Sequence, residues 1–166
     1  MPLPMLRAAA EVVSEWDDPA DDECCVFVQA VIERAFALDP AELRVRSMWR
    51  IFDVTNPWSP IDAAAAVGVT DVSSKPPHEL APMLGRWHVV QGWRGEPGAK
   101  GVTGHTFLWL AATPATGVVL DASNGRSPDQ VLRGFRSWAD VTAAFRRPGG
   151  GVALASLRGP PRIPRT

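Results

Sequence analysis

The hydrophobic pattern of this chain changes period partway along, and that change limits its fold more than any other feature. From Asp22 onward, Cys24, Phe27, Val28, Val31, Ile32, Ala35 and Leu38 fall on one stripe of a helix. Asp21 or Asp22 can cap its start, and Pro40 limits its far end. An earlier stretch, Leu6 to Trp16, has the same helical spacing. After Arg86 the runs become β-type. Arg86 to Trp93 reads as a strand, and His105 to Leu110 with Val118 to Asp121 read as a hairpin joined by Ala111 to Gly117. A late helix is expected around Ser137 to Phe145 and a last strand over Val152 to Leu157. Helices first and an antiparallel sheet afterwards make an α+β architecture.

The segments between these runs are punctuated rather than periodic. Asp17 to Glu23 is an acidic turn containing Pro19, and Leu43 to Asp53 fits either a strand or a helix. Ser59 and Pro60 open a short helix that Gly68 would end. Val69 to Pro82 reads as turn-rich, and Gly95 to Gly104, with its four glycines, reads as a loop. At 166 residues the chain can bury one core without disulfides or metals. We expect one domain over residues 1–158 and a disordered tail over residues 159–166.

Charge and cysteine usage remove several function classes. Lys+Arg 17 against Asp+Glu 18 leaves a net charge of -1, without the basic surface that nucleic-acid binding needs. No run approaches the ~18 apolar residues of a membrane span. Met1 to Arg7 lacks the basic-then-apolar order of a secretory signal. The cysteines Cys24 and Cys25 are neighbours. Adjacent Cα atoms lie about 3.8 Å apart, too close for a relaxed disulfide. Together with the scattered His78, His88 and His105 they match no zinc spacing, so no metal and no cofactor is expected. His88 reads as a strand histidine in the core or on the surface, and His78 as solvent-facing.

What remains is a constellation. Cys24 lies at the start of an amphipathic helix, His105 opens a strand after a glycine, and Asp121 ends the strand paired with it. A helix N-terminus stabilises a thiolate through unpaired N–H groups and its dipole, and those N–H groups can hold an oxyanion. A base would take the thiol proton, and a third group would orient the base. Direct opposition of His105 and Asp121 would set their Cβ atoms roughly 4.5–5.5 Å apart on one face, and a one-residue slip would separate them. Asn124 is the reserve for Asp121, which could instead cap the following turn. Helical periodicity alone allows either Cys24 or Cys25 to face the cleft.

The segment Asp22-Glu-Cys24-Cys25-Val-Phe27-Val28 resembles the nucleophile helix of NlpC-type cell-wall cysteine peptidases, and more closely that of type VI secretion peptidoglycan amidase effectors. Gly104-His105-Thr106 and the apolar run after it are similar to the strand that carries the family's base, and Trp87 to Gln91 to the strand before it. The resemblance implies a papain-like fold, with the nucleophile helix packed on a small antiparallel sheet. It also implies Cys24 as nucleophile through its spacing from Phe27, His105 as base and Asp121 as the orienting residue. A peptidoglycan peptide substrate is implied too, and an effector role leaves room for a cognate inhibitor protein.

Two departures stand out. Cys25 occupies the family's usual Ser position, and the residues before Cys24 are acids rather than an oxyanion-stabilising Gln. The run Asp17, Asp18, Asp21, Asp22 and Glu23 works against a thiolate, so a protonated His105 is expected to offset it. Trp58 and Trp93, in Pro- and Gly-rich surroundings, are candidate substrate walls, and Arg94 could meet a substrate carboxylate. Two other readings remain open: a transglutaminase-like deamidase or acyltransferase acting on a protein, and a non-catalytic binding domain on the same scaffold. Without an export signal, a wall-directed enzyme would need a specialised secretion apparatus or cell lysis for delivery.

Overall fold

The long amphipathic stripe folds as a helix, and the β-type runs fold as the middle of a sheet. The computed structural model describes residues 3–15, 24–36, 69–75, 81–95, 104–121 and 132–157. Helices α1 (Leu3–Ser14) and α2 (Cys24–Phe36) come first, followed by strands β1 (Val69–Lys75), β2 (Trp87–Arg94), β3 (Gly104–Ala111), β4 (Thr116–Leu120) and β5 (Leu132–Ser137). A short helix α3 (Trp138–Thr142) then tightens into a 3-10 turn (Ala143–Phe145) before strand β6 (Gly150–Leu157). The six strands form one sheet in the order β1-β6-β2-β3-β4-β5, each neighbouring pair antiparallel. The α+β class expected from the sequence is the class observed.

Successive side chains of a strand point to opposite faces, and both faces of this sheet are covered. On one face Val89, Leu108, Leu120, Ala153, Ala155 and Leu157 pack against Met5, Ala8, Phe27, Val28, Val31 and Ile32 of α1 and α2. On the other, Val90, Phe107, Trp109, Val119, Val152 and Leu154 meet Trp138 and Phe145. Fully burying one such aliphatic or aromatic side chain contributes about 1.5–3 kcal/mol, so the two clusters fix the helices on the sheet. Arg34 of α2 also bonds Glu15 just past α1 through both terminal guanidinium nitrogens, a surface contact that adds little. Ser137 caps α3 by accepting from the Asp140 amide at 3.0 Å.

The two strands that the sequence did not announce are the sheet's edges. β1 occupies part of the stretch read as turn-rich, with the polar sequence Val-Thr-Asp-Val-Ser-Ser-Lys. β5 bends at Gly134, whose φ is 64°, and leaves Phe135 71% exposed. An edge strand has one open side and less to bury, so apolar alternation is not demanded of it. The expected elements over 43–53 and 59–68, the acidic turn, His78 and the tail over 159–166 lie outside the described residues. Among the described residues, no helix is long and apolar enough to cross a membrane.

The β3–β4 hairpin is closed by Thr113, whose Oγ1 accepts from the amides of Ala115 and Thr116 at 3.2 and 3.0 Å. Its register leaves no room at Gly117, where an added Cβ would collide with the Leu110 carbonyl oxygen and the Trp109 ring. The carbonyl belongs to the opposite strand's backbone and cannot swing away. We therefore expect Gly117→Ala to destabilise the protein by about 1–3 kcal/mol, read as a lower urea midpoint with unchanged slope. A midpoint equal to the parent's would mean that the hairpin is looser than described.

Candidate active site

Cys24 is the first residue of α2, where backbone N–H groups have no partner within the helix. Its sulfur accepts a hydrogen bond from the Thr106 amide of β3 at 3.2 Å. The hairpin explains why that amide is available. The Ala112 amide donates to the Thr116 carbonyl, and the ladder continues through Leu110 opposite Val118 and Leu108 opposite Leu120. Counting on by the same step, Thr106 also points its amide toward the β4 side. β4 ends at Leu120, so the amide meets the Cys24 sulfur there instead of a strand carbonyl.

His105 and Asp121 meet on the face that also carries Phe107 and Val119. His105 Nε2 lies 2.7 Å from Asp121 Oδ1, with the two side chains 18% and 8% exposed. The register differs from direct opposition. The ladder that pairs Leu108 with Leu120 would set Phe107, not His105, opposite Asp121. The offset is two residues, so the pair stays on one face as diagonal neighbours, which long side chains can bridge. The His105 ring stacks on Phe107, with centroids 5.8 Å apart and planes at 25°. Opposite His105 on β2 stands Gly92, and the space above that glycine is filled by the Phe145 ring.

With Nε2 engaged by Asp121, the other ring nitrogen of His105 is left for the sulfur. Burial works against the imidazolium and is the largest single influence on it. The hydrogen bond to Asp121, then that to Cys24, then the charges of both partners together outweigh burial. The result is a His105 pushed up from its ordinary 6.5 to about 9, so the ring is charged at neutral pH.

The other sequence candidates fare differently. Trp93 is only 3% exposed, packs with the α1 and α2 core, and donates its indole N–H to the Gly149 carbonyl at 3.1 Å. It belongs to the interior and does not form an exposed cleft wall. Trp58, Asn124 and the side chain of Cys25 lie outside the described residues. His88 is buried, and its Nε2 accepts from the Met83 amide at 3.1 Å, so it is a core histidine. Arg94 is exposed, with its guanidinium 5.9 Å from the centre of the Phe145 ring. Among the described residues no group of His, Cys, Asp or Glu could hold a metal ion. Sequence reasoning missed the Thr106 amide. Its role follows from where β4 stops, which no residue type signals.

The fold and the site define an α+β protein in which a helix-start thiol, a charged imidazole and a carboxylate are brought together at the open end of a hairpin. Compared with protein-family models, curated proteins and solved structures, the chain shows no significant match.

The charge on His105 gives a direct test. Its ring should titrate near 9 by NMR in the wild-type protein. In Asp121→Asn the carboxylate charge is gone while burial remains, so the midpoint should fall well below that value. A wild-type midpoint near 6.5 would mean that the three groups are not coupled. Taken alone, a raised histidine stabilises the fold fully below 6.5, and this contribution is lost as pH rises through about 9.

Proposed function

We propose that this protein is a cysteine amidase that works through a covalent acyl-enzyme, with Cys24 as nucleophile, His105 as acid and base, and Asp121 holding the imidazole. The observation that carries this reading is the His105–Asp121 contact of 2.7 Å on a ring that also bonds the thiol of a helix-start cysteine. In the proposed ground state the thiolate of Cys24 faces the imidazolium of His105. The sulfur attacks an amide carbonyl, forming a C–S bond while the carbonyl electron pair moves to oxygen. The Cys24 backbone N–H, at the positive end of α2, donates to that oxyanion. Collapse breaks the C–N bond, and His105 gives its proton to the departing amine. Water then adds to the thioester, His105 takes its proton, and the acid and the Cys24 thiolate are released.

A papain-like fold of the NlpC type accommodates this order of elements, with the nucleophile helix ahead of the base-bearing strand. The likeness of Asp22 to Val28 and of Gly104 to Thr106 to cell-wall amidase effectors supports peptidoglycan peptides as the substrate. The thiolate–imidazolium pair, with Phe107 stacked under the imidazole, suits attack on a neutral amide.

The test is mass spectrometry of purified cell wall digested with the protein. A peptide amide should be cut by the wild type and left intact by Cys24→Ala. His105→Ala should lose roughly 10²–10⁴ in kcat, the usual contribution of a positioned acid and base. If the cell wall stays untouched while a protein substrate gains one mass unit per Gln, the chemistry is deamidation and the peptidoglycan assignment falls.

A further inference from the structure

We propose that Gln91 is a second oxyanion donor of this site, its side-chain amide N–H meeting the attacked carbonyl oxygen beside the Cys24 backbone N–H. The proposal rests on the reading of Cys24 as the nucleophile. Three observations place Gln91 there.

The first is register. Gln91 on β2 stands directly opposite Thr106 on β3, the residue whose amide bonds the Cys24 sulfur. Residues so paired have Cβ atoms roughly 4.5–5.5 Å apart on the same face. The second is the face. Gln91 alternates with Val89 and Trp93, both of which pack with α1 and α2. Its side chain therefore rises from the face that α1 and α2 cover, level with Thr106 and across β3 from the Cys24 sulfur. The third is its chemistry. Gln91 is 6% exposed, yet its side chain makes no hydrogen bond among the described residues. Its amide has no protein partner among them and is not sealed from solvent, so its hydrogen-bonding capacity is open to water or to a ligand.

Apart from the Thr106 hydroxyl, which stands beside Gln91 on the same face, the other buried polar side chains have partners. His88 and Asp121 are bonded, Thr142 donates to the Trp138 carbonyl at 2.7 Å, and Ser156 has a partner. Among the described residues, the nitrogens that are sealed from solvent and unmatched are the indoles of Trp87 and Trp109. The Gln91 amide is not one of them, so its head keeps a narrow opening. A neutral, largely buried donor is the group that an oxyanion needs, and it adds no charge to compete with the thiolate. The acids preceding Cys24 in sequence cannot donate in this way.

An aldehyde isolates this role from the rest of catalysis. N-acetyl-alaninal adds to the Cys24 thiol: a C–S bond forms, the thiol proton ends on the former carbonyl oxygen, and that oxygen lies where the oxyanion would. Iodoacetamide reacts at the same sulfur by displacing iodide and develops no oxyanion. The experiment measures protection of Cys24 from iodoacetamide by N-acetyl-alaninal in wild type, Gln91→Met and Gln91→Leu. Both variants remove the donor without adding charge, and circular dichroism identifies either one that does not fold.

Protection should weaken about 10²-fold in the folded variants, while the iodoacetamide rate without aldehyde stays within about twofold of wild type. Unchanged protection in the variants would overturn the role of Gln91 and leave the nucleophile assignment standing. An alkylation rate that falls as far as the protection would make Gln91 merely structural and would also overturn it. A wild-type Cys24 no faster than a free thiol would overturn the nucleophile reading itself, and the Gln91 proposal with it.

Discussion

The site depends on a difference in length between two strands. β3 extends outward to Gly104, whereas its hairpin partner β4 stops at Leu120. Past that point, among the described residues, no strand pairs with β3 on this side. An exposed edge amide is ordinarily a liability or a place for water. Here it is the Thr106 N–H, and the Cys24 sulfur receives it at 3.2 Å. One bond therefore ties the start of α2 to the strand that carries His105, across 82 positions of sequence. A β4 longer by one ladder step would offer Thr106 a carbonyl and compete with the sulfur for its amide.

The two faces of the sheet contribute different parts of this arrangement. Cys24 arrives from the face covered by α1 and α2, held there by Phe27, Val28, Val31 and Ile32 against Leu108 and Leu120. His105 and Asp121 rise from the opposite face, where Phe107 supports the ring and Phe145 fills the space over Gly92. Groups on opposite faces of a continuous sheet cannot touch. Here the sulfur bonds the Thr106 amide on the β4 side of β3, past the last residue of β4, and meets the His105 ring there. Both apolar clusters must be intact for the thiol and the imidazole to stay in register, although neither cluster contains a reacting atom.

How far this could be read from sequence follows the same physics. Segments buried on a defined face carry their period openly, and α2, β2, β3, β4 and β6 lie close to where periodicity put them. β2 was legible for a second reason: from Trp87 to Trp93 it is buried on both faces, which makes a nearly continuous apolar run. The edges β1 and β5 were silent because an edge need not alternate. His105 and Asp121 could be paired from hairpin logic, but the two-residue offset depends on where the Thr113 turn closes, and that does not show in residue type. Trp93 misled because a strand-end tryptophan between Gly92 and Gly95 suggested an exposed wall, whereas Gly151 across the sheet makes room for its ring in the core. The Thr106 amide had no side-chain signature at all.

The charge of the site is decided by a close contest. Burial alone would leave His105 neutral, since it is the largest influence and opposes the cation. No single favourable contact exceeds it, and the hydrogen bonds and charges of Asp121 and Cys24 in sum outweigh it. The carboxylate therefore does more than aim the ring. Without it, burial would weigh against the imidazolium with one fewer opponent, and the sulfur would face a neutral base and not a cation. The proposed mechanism would then have to begin with proton transfer from thiol to imidazole, in place of a preformed ion pair. The diagonal placement of Asp121 keeps this balance compact, because it lets the carboxylate reach Nε2 from a neighbouring strand while leaving the sulfur side of the ring open. Electrostatics of this kind is inherited from strand register, and register here is inherited from one hairpin turn.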